Sequence, residues 1–184
     1  MGRYVRGAGE DVLYLDFDGV LHHENVLWHP NVGAYLSAPD GYVLFQHAQL
    51  LENILVPYPN LKLVLSTTWV VRYGCTQAAK NLRPALRSRV IGATYNSRMN
   101  LQTFRETPRG EQVWSDVCRR KPRMWIAVDD NAEGWPAQAL ENLVLAHKHQ
   151  GISDPDVLER LKKRLEAVAA RRGLTGSGQF TLVK

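Results

Sequence analysis

Residues 13–20 read LYLDFDGV, an apolar run that ends in two aspartates, followed directly by a glycine. A short apolar run bounded in this way predicts a buried strand. Because only Phe17 separates them, Asp16 and Asp18 leave that strand on the same side unless the backbone turns. Gly19 permits such a turn, since glycine accepts backbone angles that other residues avoid. A paired charge at the end of a buried strand is either an ordinary turn or part of a site, and the rest of the chain decides between them.

Four further apolar runs repeat the pattern of this first strand, with helical segments between them. The five predicted strands are DVLYLDF (11–17), LKLVLS (61–66), RVIGAT (89–94), MWIAVDD (124–130) and NLVLAH (142–147). Strands that alternate with helices predict an α/β fold, here a three-layer, Rossmann-like parallel sheet with crossover helices. The spacing predicts helices at about 46–56, at 76–88, from Thr107 as N-cap with Pro108 as first helical residue, and from Asp154 onward.

A single domain over residues 1–184 accounts for the whole chain. Residues 21–45 are rich in turn formers and aromatics, and they predict a small flap rather than a large cap domain. Residues 173–184 contain GLTGSGQF and predict a loose C-terminal tail. Within the sequence no apolar run reaches the ~18 residues of a membrane span, and the start has no apolar signal segment. We therefore expect a soluble protein without a membrane partner.

The charge and cysteine content narrow the class of protein only slightly. The net charge is +5, from 23 Lys and Arg against 18 Asp and Glu, which favours anionic partners in general. Cys75 and Cys118 lie in unrelated contexts without metal-ligand spacing. A reducing cytoplasm fits this cysteine usage best. The sequence leaves the oligomeric state open.

Small oxygen-bearing side chains follow three of the five predicted strands. Asp16 and Asp18 follow the first, Ser66, Thr67 and Thr68 follow the second, and Asp129 and Asp130 follow the fourth. In a parallel sheet, ligands bind beyond the carboxyl ends of the strands, so these side chains are expected to share one crevice.

Clustered carboxylates repel one another unless a cation or a shared proton offsets their charge. Oxygen-only ligands suit Mg²⁺, which attracts phosphate and stabilises charge during its transfer. Aspartate is a nucleophile in phosphoryl transfer, and a second aspartate nearby can act as acid and then as base. The pair Asp16 and Asp18 therefore fits a nucleophile with its acid/base partner.

The same residues resemble the signature motifs of the haloacid dehalogenase (HAD) superfamily of phosphotransferases. DFDGVL (16–21) is similar to its first motif, KLVLS to its second and VDD (128–130) to its fourth. The resemblance implies that Asp16 is the nucleophile, Asp18 the acid/base and Ser66 a ligand of the phosphoryl group, with Thr67 in reserve. It implies metal ligation by Asp16, by Asp129 or Asp130, and by the Asp18 backbone carbonyl. The third motif is a basic residue, for which Arg109 matches best and Lys80 or Lys121 are alternatives.

A narrower resemblance rests on LVLSTTW, IAVDDNAEGWP and NLVLAHKHQGISDPDVLERL. These segments are similar to the compact HAD branch found as a domain in bacterial multi-domain RNA repair proteins. That branch has Ser-Ser-x-Trp-Arg at its second motif, whereas this chain has Val70 at the arginine position and Arg72 two residues later. Arg72 is therefore a candidate substrate-binding residue, and Gly19 and Thr67 are further candidates for that role.

The histidines of the flap have two interpretations. His22, His23 and His29 could bind zinc, but the nearby carboxylates suit a harder ion and the zinc-ligand spacing is not met. We expect them to line the flap, with His22 touching the substrate or its leaving group. Trp28 in the flap could stack on a nucleic-acid base.

These observations predict a Mg²⁺-dependent phosphomonoester hydrolase acting through an aspartyl-phosphate. An open crevice and a basic chain admit RNA or DNA ends as substrates. A phosphatase for small molecules or nucleotides is the alternative, and a non-catalytic phosphate-binding module is a third possibility.

Overall fold

A five-stranded parallel sheet forms the centre of the molecule, as seen in a computed structural model that describes residues 5–176, with side chains through residue 171. Its strands are β1 (Asp11–Leu15), β4 (Lys62–Leu65), β5 (Val90–Ala93), β6 (Met124–Asp129) and β7 (Leu143–Leu145). The sheet order is β5-β4-β1-β6-β7, and all four pairings are parallel. The predicted α/β, Rossmann-like fold is confirmed.

Helices cover both faces of this sheet and make three layers. They are α1 (Ala48–Leu55), α2 (Thr68–Tyr73), α3 (Cys75–Ala79), α4 (Pro84–Arg87), α5 (Leu101–Glu106), α6 (Arg109–Arg120) and α7 (Pro155–Gly176), and a short 3-10 helix (Ala137–Asn142) precedes β7. On one face, Leu13 and Leu15 of β1 pack with residues of α1 and α7. On the other face, Val12 and Tyr14 pack with residues of α6. Every residue of β1 is buried, as expected for a strand covered on both sides.

The predicted helix at 76–88 is interrupted in the structure. It forms two short helices, α3 and α4, with a turn between them. Pro84 disfavours helical angles at the residue before it. That residue, Arg83, is extended, with ψ 150°. The chain therefore leaves the helix before Pro84 and starts a new one at it.

The predicted start of α6 also needs a correction. Pro108 is the N-cap and Arg109 the first helical residue, so both lie one position later than expected. Thr107 instead ends α5, and its hydroxyl donates a hydrogen bond to the Thr103 carbonyl. Helix α5 itself was not predicted; its N-cap is Asn100, whose side chain accepts the Thr103 N–H.

The predicted flap contains a two-stranded antiparallel hairpin, β2 (Val26–His29) and β3 (Gly33–Leu36), which is separate from the main sheet. At the other end of the chain, α7 continues to Gly176, so residues 173–176 of the predicted tail are helical, while 177–184 lie outside the described residues. Among residues 5–176, no helix has the length and apolar character required to cross a membrane.

Candidate active site

Three polar side chains meet where β4, β1 and β6 end, which we call the carboxyl edge. Leu15 at the end of β1 is in register with Leu65 of β4 and Val128 of β6. The next residues along the three strands are Asp16, Ser66 and Asp129, and all three are buried. The crevice expected from the sequence therefore exists, and it brings these residues together.

Asp16, Asp129 and Asp130 form a compact group of carboxylates. One oxygen of each lies within 4.8 Å of the others. Burial raises the pKa of Asp16 to about 7, with Arg109 opposing that rise. Burial and the charge of Asp16 raise the pKa of Asp129 well above its ordinary value. Burial and the charge of Glu24 raise the pKa of Asp130, while Lys148 opposes them. These carboxylates are therefore held close together against their mutual repulsion.

Arg109 is the basic residue at this group. Its Nη2 lies 3.8 Å from Asp16 Oδ2, and its Nε lies 3.4 Å from Asp129 Oδ2. Burial acts to lower the pKa of Arg109, but the carboxylates outweigh it and raise that pKa. Of the two alternatives, Lys80 is exposed at the end of α3, and Lys121 follows α6 near the opposite edge, where its carbonyl accepts the Gly9 N–H. Arg109 therefore lies at the carboxylates, whereas Lys80 and Lys121 do not.

A close backbone contact holds Arg109 at this position. The next residue, Gly110, lies against the backbone of Gly134 and Trp135, in the loop that follows β6, where a Cβ would overlap both. The Gly110 N–H donates to the Glu133 carbonyl over 2.9 Å. Only glycine allows α6 to start this near the loop after Asp129 and Asp130.

Two buried polar atoms of the site have no hydrogen-bond partner among the described residues. They are Ser66 Oγ and Asp129 Oδ2. Buried polar atoms are normally paired, so such atoms at a site point to a missing ligand. Thr67 differs, because its hydroxyl caps α2 by accepting the Trp69 N–H over 3.4 Å. An oxygen-only group of acids fits Mg²⁺, and a free hydroxyl beside it fits a phosphoryl oxygen.

Asp18 lies beyond the end of β1, on a turn that separates it from the group of three carboxylates. The N–H of Leu21 donates to the Phe17 carbonyl, so the chain coils back at once. Gly19 has φ +66°, and a Cβ there would overlap the carboxylate of Asp130. Glycine is therefore required for the turn and for its contact with Asp130. The substrate contact expected of Gly19 stays a prediction.

His22 has no exposed surface, so the substrate contact expected of it stays a prediction. Its Nε2 lies 3.0 Å from Asp18 Oδ1, and its Nδ1 accepts the Phe45 N–H over 3.2 Å. Asp18 Oδ1 also accepts the indole N–H of Trp69 over 2.8 Å. Sequence reasoning missed these contacts, although the four-residue spacing of Asp18 and His22 was visible.

A groove of about 640 Å³ opens beside Asp18 and Arg109, between the flap, α2, α5 and α6. Arg72 places its guanidinium 4.4 Å from the centroid of the Trp28 ring, close enough for a cation–π contact. Val70, at the position where the related branch has arginine, is buried instead. The groove lining includes aromatic side chains and cations: Trp28, Trp69, Tyr73 and Phe104 with Arg72 and Arg105. Phe104 and Arg105 had no signal in the sequence, since α5 was not predicted.

The other flap histidines do not form a zinc site with His22. His23 stacks on His149 at 4.5 Å between ring centroids, and His29 is exposed on β2. Among the described residues, the three carboxylates are the group whose ligand atoms are close enough to hold a metal. Glu24 and Lys148, which act on Asp130, were also missed, because they are brought together only by the fold.

Comparison with known families gives one match over most of the chain. The family model described as "HAD domain in Swiss Army Knife RNA repair proteins" matches residues 12–157. These residues include nearly all of β1, all of β2 to β7 and every residue of the carboxyl edge named above. No curated protein and no solved structure matches the chain.

Proposed function

The chain belongs to the family of HAD domains in Swiss Army Knife RNA repair proteins, and from this membership we propose that it is a Mg²⁺-dependent phosphomonoester hydrolase. The family implies a phosphoryl-transfer hydrolase. The observation that carries the finer proposal is the carboxyl edge, where Asp16, Arg109 and the unpaired hydroxyl of Ser66 lie beside two further carboxylates. A nucleophile, a cation and a free hydroxyl are what an attacked phosphoryl group requires.

The reaction has two steps that use Asp16 and Asp18. A carboxylate oxygen of Asp16 forms a bond to phosphorus while the bond from phosphorus to the leaving oxygen breaks. Asp18 gives its proton to that oxygen, and an aspartyl-phosphate remains. In the second step Asp18, now a carboxylate, takes a proton from water as the water oxygen attacks phosphorus. The bond from phosphorus to the Asp16 oxygen breaks, inorganic phosphate leaves and the Asp16 carboxylate is regenerated.

Ser66 and Arg109 hold the phosphoryl oxygens in this proposal. Ser66 Oγ is buried without a partner among the described residues, so an arriving oxygen breaks no existing hydrogen bond. Arg109 lies 3.8 Å from Asp16 and 3.4 Å from Asp129. These contacts are loose and leave donor capacity on the guanidinium. Its Nη1 donates to Gln112 Oε1, and this contact orients the guanidinium.

Mg²⁺ would be held by Asp16, by Asp129 or Asp130, and by the backbone carbonyl of Asp18. Asp129 Oδ2 accepts no hydrogen bond from the described residues, although Arg109 Nε lies 3.4 Å away, and this oxygen and the closeness of the three carboxylates support this set of residues. When bound, the ion supplies positive charge that offsets the carboxylates and the phosphoryl oxygens. The carboxylates would fix its place, and Gly19 keeps the backbone near Asp130.

The groove supports a phosphorylated RNA or DNA end as the substrate. Trp28 is exposed with Arg72 at its face, and Phe104 adjoins Arg105 in the lining. Such pairs combine π surfaces with cations, as single-stranded nucleic-acid sites do. The flap contributes one hairpin to the wall of the groove rather than a cap domain, which favours a substrate that extends beyond the groove. The groove volume of about 640 Å³ is also that of many small-molecule sites, so a nucleotide phosphatase is the second candidate.

The test of hydrolysis is release of phosphate from p-nitrophenyl phosphate, with and without Mg²⁺, using Asp16→Asn as the control. We expect Mg²⁺-dependent turnover that the variant lacks. Equal inactivity of both proteins across aryl, nucleotide and oligonucleotide phosphates would overturn the proposal and favour a binding module.

The substrate class is tested by comparing a phosphorylated oligonucleotide with a nucleotide panel at two salt concentrations. Contacts between Arg72 or Arg105 and the phosphate backbone predict a kcat/KM for the oligonucleotide that falls as salt rises. A flat salt response, together with faster turnover of nucleotides, would favour the second candidate.

A further inference from the structure

The carboxylate of Asp18 is held through one of its two oxygens. Both the His22 ring and the indole N–H of Trp69 contact Oδ1, at 3.0 Å and 2.8 Å, and neither contact uses Oδ2. The carboxylate is part of the groove lining, beside Arg109. Two donors on one oxygen fix the plane of a carboxyl group. The second oxygen remains available to exchange a proton with another group.

The hydrogen bond to Phe45 determines which nitrogen of His22 carries the proton. The Phe45 N–H donates to Nδ1, which must therefore be unprotonated. In the neutral ring the proton is then on Nε2, so Nε2 donates to Asp18 Oδ1. His22 thus acts as a neutral donor in a place that water does not reach.

The two donors, His22 and Trp69, are buried and packed among aromatic rings. Phe45 has φ 58°, and this conformation presents its N–H to His22. Residues with a side chain seldom adopt this left-handed region. The rings of Phe17, His22, Phe45 and Trp69 form a cluster of edge-to-face contacts, with centroids 4.8 Å to 6.1 Å apart. Edge-to-face packing is a favoured arrangement of aromatic rings. This four-ring cluster holds both donors in place before any substrate arrives.

We propose that His22 and Trp69 are positioning residues that anchor Asp18 through Oδ1, so that Oδ2 delivers the proton to the leaving group. The inference rests on the proposed function, in which Asp18 is the general acid. Neither residue touches the reacting atoms through these contacts; both act through Asp18. Preorganisation of this kind matters because small errors in the position of a catalytic group reduce the rate strongly.

The dependence of rate on the leaving group distinguishes positioning from a merely structural role. A poor leaving group, such as phenoxide, needs the proton of Asp18 as its bond to phosphorus breaks. A good one, such as 2,4-dinitrophenolate, departs without it. Loss of the anchor should therefore slow poor leaving groups more than good ones, whereas partial unfolding slows all esters by the same factor.

The experiment measures kcat/KM for a series of substituted phenyl phosphates with wild type, Trp69→Phe, His22→Leu and His22→Gln. Trp69→Phe removes the indole N–H and keeps a ring in the cluster. His22→Leu removes the ring donor, and His22→Gln restores a donor at the place of Nε2. Trp125→Phe is the matched control, because Trp125 lies on β6 opposite Val12 and does not touch Asp18.

For Trp69→Phe and His22→Leu we expect kcat/KM to fall about 10- to 100-fold on phenyl phosphate and less than about 3-fold on 2,4-dinitrophenyl phosphate. His22→Gln should recover most of the loss. Trp125→Phe should show the same dependence of kcat/KM on the leaving group as wild type. A uniform loss across the series, or no loss, would overturn the inference. If Trp69→Phe does not fold, as judged by circular dichroism, the comparison of His22→Leu with His22→Gln decides. Absence of wild-type turnover on every ester would instead overturn the proposed function itself.

Discussion

Two buried clusters of acids and arginines flank the same strand, and they are built in opposite ways. In the first, Asp116 on α6 accepts hydrogen bonds from Tyr14, Arg119 and Arg120, and each carboxylate oxygen has at least two donors. In the second, at the carboxyl edge, three carboxylates lie close together, Arg109 contacts two of them, and Asp129 Oδ2 has no hydrogen-bond partner among the described residues.

The two clusters differ in whether their carboxylate oxygens are paired within the protein. Paired charges stabilise the fold, whereas unpaired charges are available to bind a ligand. A buried acid whose lone pairs are all satisfied contributes to a single folded arrangement. A buried group with excess negative charge costs stability, and a protein keeps it where a cation or substrate supplies the missing partner. Substitutions in each cluster test that contrast.

Asp16→Asn should abolish phosphate release, with kcat/KM lower by about 10⁴-fold or more, because the amide cannot attack phosphorus. The same variant should fold normally, since it removes one of three crowded charges. Phosphate release from p-nitrophenyl phosphate and urea unfolding measure the two effects. An unfolded variant would contradict the view that this charge does not stabilise the fold.

Asp116→Asn should have the opposite profile. It leaves the buried Arg120 without its charged partner. The free energy of unfolding should therefore fall by about 3–5 kcal/mol. Activity per folded molecule should stay within about 2-fold of wild type, because Asp116 lies outside the carboxyl edge. Urea unfolding and activity corrected for the folded fraction provide the measurement. A large loss of turnover with normal stability would show that the Asp116 cluster does not serve mainly to stabilise the fold.

The metal-free protein should lose stability as pH rises from about 4 to about 7. The pKa of Asp16 is raised to about 7 in the folded state, so the folded protein retains a proton there that the unfolded chain has released. The contribution of Asp16 to the free energy of unfolding is therefore fully present below its unfolded pKa. It is lost as pH rises through its folded pKa. The loss should be on the order of 2–4 kcal/mol. Urea unfolding with a chelator measures the free energy of unfolding of wild type and Asp16→Asn as a function of pH. It should change less with pH in the variant, and an equal change would contradict the raised pKa of Asp16.

Mg²⁺ should stabilise the wild type and should stabilise Asp129→Asn much less. Binding to the folded state alone adds about 2.7 kcal/mol at about 100 times Kd. Thermal unfolding with Mg²⁺ and with a chelator measures the shift in Tm. The Asp116→Asn variant is a useful second control, since its shift should equal that of wild type. A full shift in Asp129→Asn would exclude Asp129 from the metal ligands.

Most of the fold could be predicted from the sequence because its strands are short, apolar and separated by clear turn residues. Each of the five predicted strands is present, with ends shifted by at most two residues. The helical errors were local. Pro84 divides one predicted helix into two. Asn100 caps α5, a helix that no apolar periodicity in the sequence predicts. Both errors follow from capping and backbone restrictions, which act on single residues rather than on a periodic pattern.

The acids of the site were also predictable, because a parallel sheet brings the ends of neighbouring strands together. The environment of Asp18 was not. His22 and Trp69 are four and fifty-one residues from Asp18, and their contact depends on Phe45, which comes from the far end of the flap segment. Such contacts between side chains leave no periodic trace in a sequence.

The central place of β1 in the sheet also governs motion. Its amides bond to neighbouring strands on both sides. They therefore exchange with solvent only when the sheet opens as a whole. The β2–β3 hairpin pairs only with itself within the described chain, and half of its eight residues are exposed, so we expect it to open locally and more often. The wall of the groove can thus yield to an entering substrate while Asp16, at the end of β1, stays fixed on the last part of the protein to come apart.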